Sequence, residues 1–270
     1  MARSSVKRSW WMLGVVALLF AFWLWSGPPV AAQTITETYK LYLPLVSKAP
    51  DPCEAIDGVS YTTLDVAIDP TLPPPNNPAT DPGFNLGLLG YELTDETKGL
   101  IYYNGGGAAV QPPTFQYLFG DHRIPTFPNV YKLHNSDGTV VTSYPVTMLG
   151  MGTDLAEIIY TPESGYDIGS GYDAMVAYAS TERITLIYNR YDNLHGYAVY
   201  IENICVEPSL LALFRQMEAD DNAPPQYLPV VRGGQPLGRA RGEEIRIVIR
   251  DQGTAMDPRA CNSWWDNACP

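Results

Sequence analysis

Apolar and polar residues alternate along much of the chain with a period of two, which predicts β-strands. The clearest example is the stretch "EIRIVIR", which begins at Glu244. Its three isoleucines fall on one face of a strand, and Glu244, Arg246 and Arg250 fall on the other. Similar runs recur between turn residues, as in "NVYKLHNSDGTVVTSY", where "NSDG" is predicted to connect two strands. The pattern therefore predicts a sheet-rich protein.

One segment departs from this alternation and predicts a short helix. It begins at Pro208, a residue favoured in the first helical turn, and places Leu210, Phe214 and Met217 on a common face. The stretch of residues 69–82 contains six prolines and is predicted to be an extended surface loop. We therefore predict an all-β fold, mainly β with one short helix, in which a C-terminal β-sheet or sandwich domain follows an irregular, proline-rich β region.

The first 32 residues are predicted to form a secretory signal peptide. Arg3, Lys7 and Arg8 precede an apolar run from Trp10 to Trp25, and small residues follow at positions 30–32. The run is shorter than the roughly 20 residues that a membrane-spanning helix needs, so an uncleaved anchor is the second interpretation. The predicted organisation has four parts: the signal peptide (1–32), a short strand and linker (33–52), a β-rich N-terminal region (53–150), and a C-terminal β domain with a disulfide-tied end (151–270).

The chain is acidic, with a formal net charge of -12 at pH 7. Removing residues 1–32 takes away three positive charges and no negative ones, which gives -12 - 3 = -15. A nucleic acid is therefore not an expected partner. Contact with a membrane is expected only through an uncleaved leader.

The four cysteines are predicted to form two disulfides, since the number is even and export leads to an oxidising compartment. Three pairings are possible. We expect Cys261 to pair with Cys269, because the loop between them closes easily and would hold the C-terminus, and Cys53 to pair with Cys205. No C-x-x-C pair occurs, which argues against a zinc site built on cysteines.

Four stretches in the last third of the chain occur in the order and spacing of a known domain. They are "SGYDIGSGYDAMVAYAS", "RITLIYNRYDNLHGYAVYIEN", "VVRGGQPLGRA" and "GEEIRIVIRDQGTAMDP". Together they resemble the M23 (LytM or lysostaphin-like) peptidase domain over about residues 160–258. The resemblance implies a compact β-sheet fold, whose active members cut peptidoglycan cross-bridges with one zinc ion.

The positions that match the metal site of that family hold other residues here. Its His-x-His pair corresponds to Glu244 and Arg246, and its first zinc-binding segment corresponds to Glu163, Gly165 and Asp167, of which only the aspartate matches. Arginine has no acceptor to offer a metal ion. We therefore expect a pseudo-enzyme with no catalytic residue, no metal and no cofactor, in which Arg246 pairs with Asp167 in place of the zinc ion.

Other candidate chemistry is limited. His122, between Asp121 and Arg123, is expected to bond locally rather than to act as a metal ligand or base, and His134 and His195 lie beside turn residues and are expected at the surface. The 18 tyrosines are more informative, because an exported β protein can use flat rings to bind sugars. The candidate ligand-binding cleft therefore contains Asp167, Glu244, Arg246, Glu163, Tyr166, Tyr172 and Tyr197.

These observations predict a secreted or cell-surface module that binds cell-wall or extracellular glycopeptide, or a partner protein, without hydrolysis. The expected partners are peptidoglycan, another extracellular glycan or a wall hydrolase. Two alternatives remain open: an active zinc metallopeptidase of M23 type, and a structural or adhesive surface protein. Metal analysis and binding to cell walls distinguish the three.

Overall fold

The computed structural model describes most of the chain after residue 50. The described residues are 51–66, 78–103, 110–190, 195–218, 225–266 and 268–269. All of them belong to one compact unit, Lys48–Pro270. The predicted signal peptide (1–32), almost all of the predicted strand and linker (33–52) and most of the predicted proline-rich loop (69–82) lie outside the described residues.

The all-β prediction is confirmed. Strands contain 36% of the described residues and helices 11%. The strands in chain order are β1 (Thr62–Asp65), β2 (Gly90–Leu93), β3 (Val130–His134), β4 (Met148–Gly152), β5 (Ile158–Tyr160), β6 (Ala174–Ala179), β7 (Arg183–Ile187), β8 (Tyr197–Glu202), β9 (Ile204–Val206), β10 (Tyr227–Val231), β11 (Pro236–Ala240), β12 (Glu244–Asp251) and β13 (Thr254–Ala255). The α-helices are α1 (Pro208–Met217) and α2 (Cys261–Trp264), and short 3-10 helices span Leu86–Leu88 and Phe115–Leu118.

The strands form one large antiparallel sheet and one small one. The large sheet has the order β1-β10-β6-β7-β8-β12-β4-β3-β2, with β13 paired to β12. The small sheet has the order β5-β11-β9. The boundary predicted at residue 150 falls inside β4, and residues on both sides of it contribute strands to the large sheet.

Strand β12 lies in the middle of the large sheet and is hydrogen-bonded along both edges. It pairs with β8 from Arg246 to Asp251 and with β4 from Glu244 to Ile247. Its isoleucines are fully buried, as the alternation in the sequence predicted. This face of the sheet belongs to the hydrophobic core, because a period of two sends every second side chain to the same side.

The described residues cover only part of the opposite face of the large sheet. Backbone carbonyls of Pro82, Gly83 and Phe84 accept hydrogen bonds from the side chains of Arg250, Tyr200 and Thr185, respectively. These three bonds hold the segment before the first 3-10 helix over the far halves of β7, β8 and β12. Near the start of β12 the same face carries charged side chains that remain partly accessible to solvent.

The predicted helix from Pro208 to Met217 is confirmed as α1, the only helix of seven or more residues among those described. Glu207 caps it by accepting hydrogen bonds from the backbone N–H (3.3 Å) and hydroxyl (3.0 Å) of Ser209. Phe214 packs against Tyr178 of β6, with ring centroids 6.2 Å apart. No helix in the described ranges is long and apolar enough to span a membrane.

Both expected disulfides are present, Cys53–Cys205 and Cys261–Cys269. The first joins the start of the described chain to β9. The second lies beside the buried Trp265, whose ring contacts Phe115 at a centroid distance of 5.7 Å. Residues 260, 261, 264 and 265 are therefore part of the core.

We expect the two disulfides to stabilise the fold unequally. Their sequence separations are 152 and 8 residues, so the chain-entropy relation gives about 5 kcal/mol for Cys53–Cys205 and about 2.5 kcal/mol for Cys261–Cys269. Urea unfolding of the two double cysteine-to-serine variants measures the difference. Equal losses of unfolding free energy would contradict this order.

Candidate functional site

The predicted cleft residues do not line one cleft: Tyr197 lies at the other end of the large sheet from Glu244 and Arg246, and the other four lie in loops. Tyr197 pairs with Asp251, which is seven residues beyond Glu244 on β12, or about 23 Å along a strand. Residues an odd number of positions apart on a strand point to opposite faces, so Asp251 points away from the face that carries Arg246. Tyr197, the cross-strand partner of Asp251, therefore also points to the face opposite Arg246. Tyr166 lies near Tyr197, with ring centroids 6.2 Å apart.

The predicted pairing of Arg246 with Asp167 is wrong. The Asp167 carboxylate accepts hydrogen bonds from the backbone N–H groups two and four residues ahead, at 2.7 and 3.1 Å, and so closes a local turn. Arg246 instead forms its ion pairs with Glu244 and Glu202. The reason is local, because a short aspartate side chain can accept hydrogen bonds from the backbone N–H groups of glycines in its own turn.

Two more predicted residues have structural contacts in loops. The backbone carbonyl of Glu163 accepts a hydrogen bond from Thr114 at 2.9 Å, and its side chain lies against Gly233, where a Cβ atom would come within 2.5 Å of it. The ring of Tyr172 lies beneath the guanidinium of Arg232, 4.0 Å from the ring centroid.

The remaining two predicted residues belong to a row of charges that crosses three adjacent strands. Arg183 on β7 lies directly opposite Glu202 on β8, and Glu202 lies directly opposite Arg246 on β12. The carboxylate of Glu202 is 3.1 Å from Nε of Arg183 and 3.9 Å from Nη1 of Arg246. Opposite charges at facing positions of antiparallel strands stabilise the pairing of those strands.

Glu244 anchors this row from the side of β3 and β4. Its carboxylate accepts hydrogen bonds from Nδ2 of Asn129 (2.6 Å), the hydroxyl of Tyr131 (2.7 Å) and Nε of Arg246 (3.2 Å). Gly150, opposite Arg246 on β4, leaves room for this carboxylate, because a Cβ atom there would lie 2.5 Å from Oε2 of Glu244. Burial, and then the bond to Glu244, raise the pKa of Tyr131 to about 12.

An open groove lies over the charged row, and we call it the Arg246 groove. Its volume is about 270 Å³, and its lining residues are Gly87, Leu89, Tyr91, Glu182, Arg183, Glu202, Asn203 and Arg246. Arg246 donates a hydrogen bond to the hydroxyl of Tyr91 at 2.6 Å, and its guanidinium lies 5.2 Å from the centre of that ring. Tyr91 itself is 40% exposed.

Glu202 is the unusual member of the groove. It is only 5% exposed, yet no protein group in the described part of the chain donates a hydrogen bond to its carboxylate. The Nε atom of Arg183 is close enough to attract it, but its N–H is not aligned for a hydrogen bond. Burial raises the pKa of Glu202 above 4.5, and this effect outweighs the opposing influence of Arg183 and Arg246. Glu202 therefore retains unused acceptor capacity.

Two other grooves each contain an arginine that is held by protein groups. In the groove that contains Arg123, this arginine binds Asp121 at 3.0 Å and Glu157 at 2.6 Å. In the groove that contains Tyr172, the Arg232 guanidinium donates to the carbonyl of Gly171 at 2.8 Å. Arg246 has protein partners too, but its groove also contains Glu202, a buried residue to which no described group donates a hydrogen bond, and it is therefore the better candidate for a ligand.

Histidines and carboxylates do not assemble a metal site in the described ranges, where no three His, Cys, Asp or Glu side chains are grouped to hold a metal ion. His134 lies 3.1 Å from a carboxylate oxygen of Glu92 on the neighbouring strand. The ring of His122 packs against Tyr117, with centroids 4.6 Å apart.

Sequence reasoning identified Glu244 and Arg246 but missed their main partners. Glu202 and Arg183 were visible as charged residues at the ends of otherwise apolar strands, a signal that the alternation provides. Tyr91 comes from the region before residue 150, to which no role was assigned. Nothing in its local sequence indicates that β2 lies near the start of β12.

We expect the contribution of Glu202 to the free energy of unfolding to decrease as pH rises. A carboxyl with a raised pKa binds more protons in the folded than in the unfolded state, so folding free energy is lost between pH 4.5 and the raised pKa. Relative to the wild type, Glu202→Gln should therefore become more stable as the pH rises through this window. Urea unfolding of both proteins at pH 4 and pH 7 measures this. If Glu202→Gln instead became less stable relative to the wild type as the pH rises, Arg183 and Arg246 would outweigh burial and lower the pKa of Glu202.

The functional argument rests on the geometry of the Arg246 groove. Its walls come from β2, β7, β8 and β12 and combine a partly exposed aromatic ring with two arginines and an under-bonded carboxylate. These are groups that hold a polar ligand through hydrogen bonds and ring contact. Comparison with known proteins adds no identity, since no family model, no curated protein and no solved structure matches the chain.

Proposed function

We propose that this protein is an exported, non-catalytic module that binds an extracellular glycan or glycopeptide in the Arg246 groove. The observation that carries the proposal is Glu202, a residue only 5% exposed that lines an open groove and whose carboxylate receives no hydrogen bond from the described residues. Burying a charged group is costly unless its hydrogen bonds are satisfied, so a bound ligand that donates to it would recover part of that cost.

The two disulfides support an extracellular location, because such bonds persist in oxidising compartments. The predicted signal peptide of residues 1–32 supports the same location. The resemblance of residues 160–258 to M23 domains stays a prediction, and it favours a cell-wall glycopeptide over other ligands. The replacement of the family's histidines at Glu244 and Arg246 favours binding without hydrolysis.

Sedimentation with insoluble peptidoglycan and insoluble polysaccharides tests the proposal. We expect the purified, disulfide-bonded protein to sediment with at least one of these materials, and Arg246→Ala to lose most of this retention. Arg232→Ala is the matched control, because Arg232 also lies over a tyrosine but in the other groove. Thermal unfolding of each variant verifies that it is folded.

Three outcomes would contradict the proposal. Stoichiometric zinc together with cleavage of peptidoglycan would establish a metallopeptidase. Absence of retention on every material would favour a structural or adhesive protein. Loss of retention in Arg232→Ala but not in Arg246→Ala would move the binding site to the other groove.

A further inference from the structure

We infer that the Arg246 groove selects an uncharged saccharide ring, whose neighbouring hydroxyls donate hydrogen bonds to Glu202 and whose flat side contacts Tyr91. This inference rests on the proposed function and specifies the ligand class of the same site. It follows from the charge balance of the groove, the positions of its donors and acceptors, and the exposure of its aromatic ring.

The charges that line the groove cancel. Arg183 and Arg246 contribute two positive charges, and Glu182 and Glu202 contribute two negative ones, so the sum is +2 - 2 = 0. Each arginine lies within ion-pair distance of Glu202. A ligand with a net charge would leave one partner of this balanced set without a counter-charge, and an unpaired charge in a partly buried site is unfavourable.

The groove contains a carboxylate acceptor, Glu202, between two guanidinium groups, and Nε of Arg183 is also left without a hydrogen bond. The two carboxylate oxygens of Glu202 face different arginines: Oε1 faces Arg183 and Oε2 faces Arg246. A hydroxyl group both donates and accepts. Two neighbouring hydroxyls can therefore donate to the two oxygens of Glu202 and accept from accessible guanidinium N–H groups, without disturbing the charge balance.

Other ligand classes fit this arrangement less well. An ammonium group would compete with both arginines for Glu202 and add a third positive charge beside them. A carboxylate would attract the arginines but would lie next to Glu202, on a chain whose formal net charge is already -12. A purely apolar ligand would bury Glu202 further without donating to it.

Tyr91 provides the aromatic surface that a sugar ring needs. It is 40% exposed on β2, the edge strand of the sheet, and its hydroxyl is held by Arg246 at 2.6 Å. Tyrosine combines an apolar ring with a polar end, so it can contact the C–H side of a saccharide while its hydroxyl stays bonded. The groove volume of about 270 Å³ lies just below the roughly 300–1,000 Å³ of small-molecule pockets, so we expect it to hold a small unit of a longer chain.

Titration calorimetry with soluble oligosaccharides tests this inference. The probes are neutral cellohexaose, xylohexaose, mannohexaose and N-acetylglucosamine tetramer, with galacturonic acid hexamer as the charged comparison. We expect at least one neutral probe to bind and the galacturonic acid hexamer to bind at least about tenfold more weakly, since a charge must be buried beside Glu202.

Two variants and one matched control assign the contacts. Glu202→Gln should weaken binding of the neutral probe about tenfold, because the hydrogen bonds to a charged group are lost. Tyr91→Ala should weaken it by a similar factor, because the ring contact is lost. Tyr227→Ala should bind normally, because Tyr227 is similarly exposed (50%) but lies on β10, toward the opposite edge of the sheet. Wild-type affinity should fall as Glu202 becomes protonated at low pH, whereas that of Glu202→Gln should not.

The results separate this inference from the proposed function. Retention on peptidoglycan or polysaccharide, combined with no binding of any neutral probe, overturns the inference and leaves the proposed function standing. Preference for the galacturonic acid hexamer, or unchanged affinity in a folded Glu202→Gln variant, also overturns it. Absence of retention on every insoluble material contradicts both the inference and the proposed function.

Discussion

The position of β12 between β8 and β4 is the constraint on which the rest of the structure depends. Both edges of this strand are hydrogen-bonded, so its register is fixed against two neighbours at once. Its alternating sequence buries Ile245, Ile247 and Ile249 on one face. A slip of one residue would send these isoleucines to the polar face and the arginines into the core, which makes other registers very unfavourable.

The polar face follows from this register. Once Arg246 faces Glu202, and Glu202 faces Arg183, three charged side chains share a small area, and their attraction holds the row together. Glycine at position 150 makes space for the neighbouring Glu244, which bonds to an amide, a hydroxyl and a guanidinium group. Glu244 is thereby satisfied within the protein, whereas Glu202 is left with acceptor capacity facing the groove.

The groove depends on both halves of the sequence. Tyr91 belongs to the region before residue 150, and the charged row belongs to the region after it. The backbone bonds at Pro82, Gly83 and Phe84 cover the far part of the same face and leave the part near the start of β12 accessible. Neither half alone would combine an aromatic surface with the charged row, which is why the proposed binding site requires the whole sheet.

The sequence by itself determined the features that depend on neighbouring residues. The strand alternation from Glu244, the helix from Pro208 to Met217 and the short Cys261–Cys269 loop were all predicted correctly, because periodicity, capping and loop closure are local properties. Only the tertiary structure decided that Arg246 meets Glu202 rather than Asp167. Such contacts depend on which strands become neighbours and in what register. These are properties of the whole sheet, and they are set by burying many apolar side chains together rather than by any one segment of the chain.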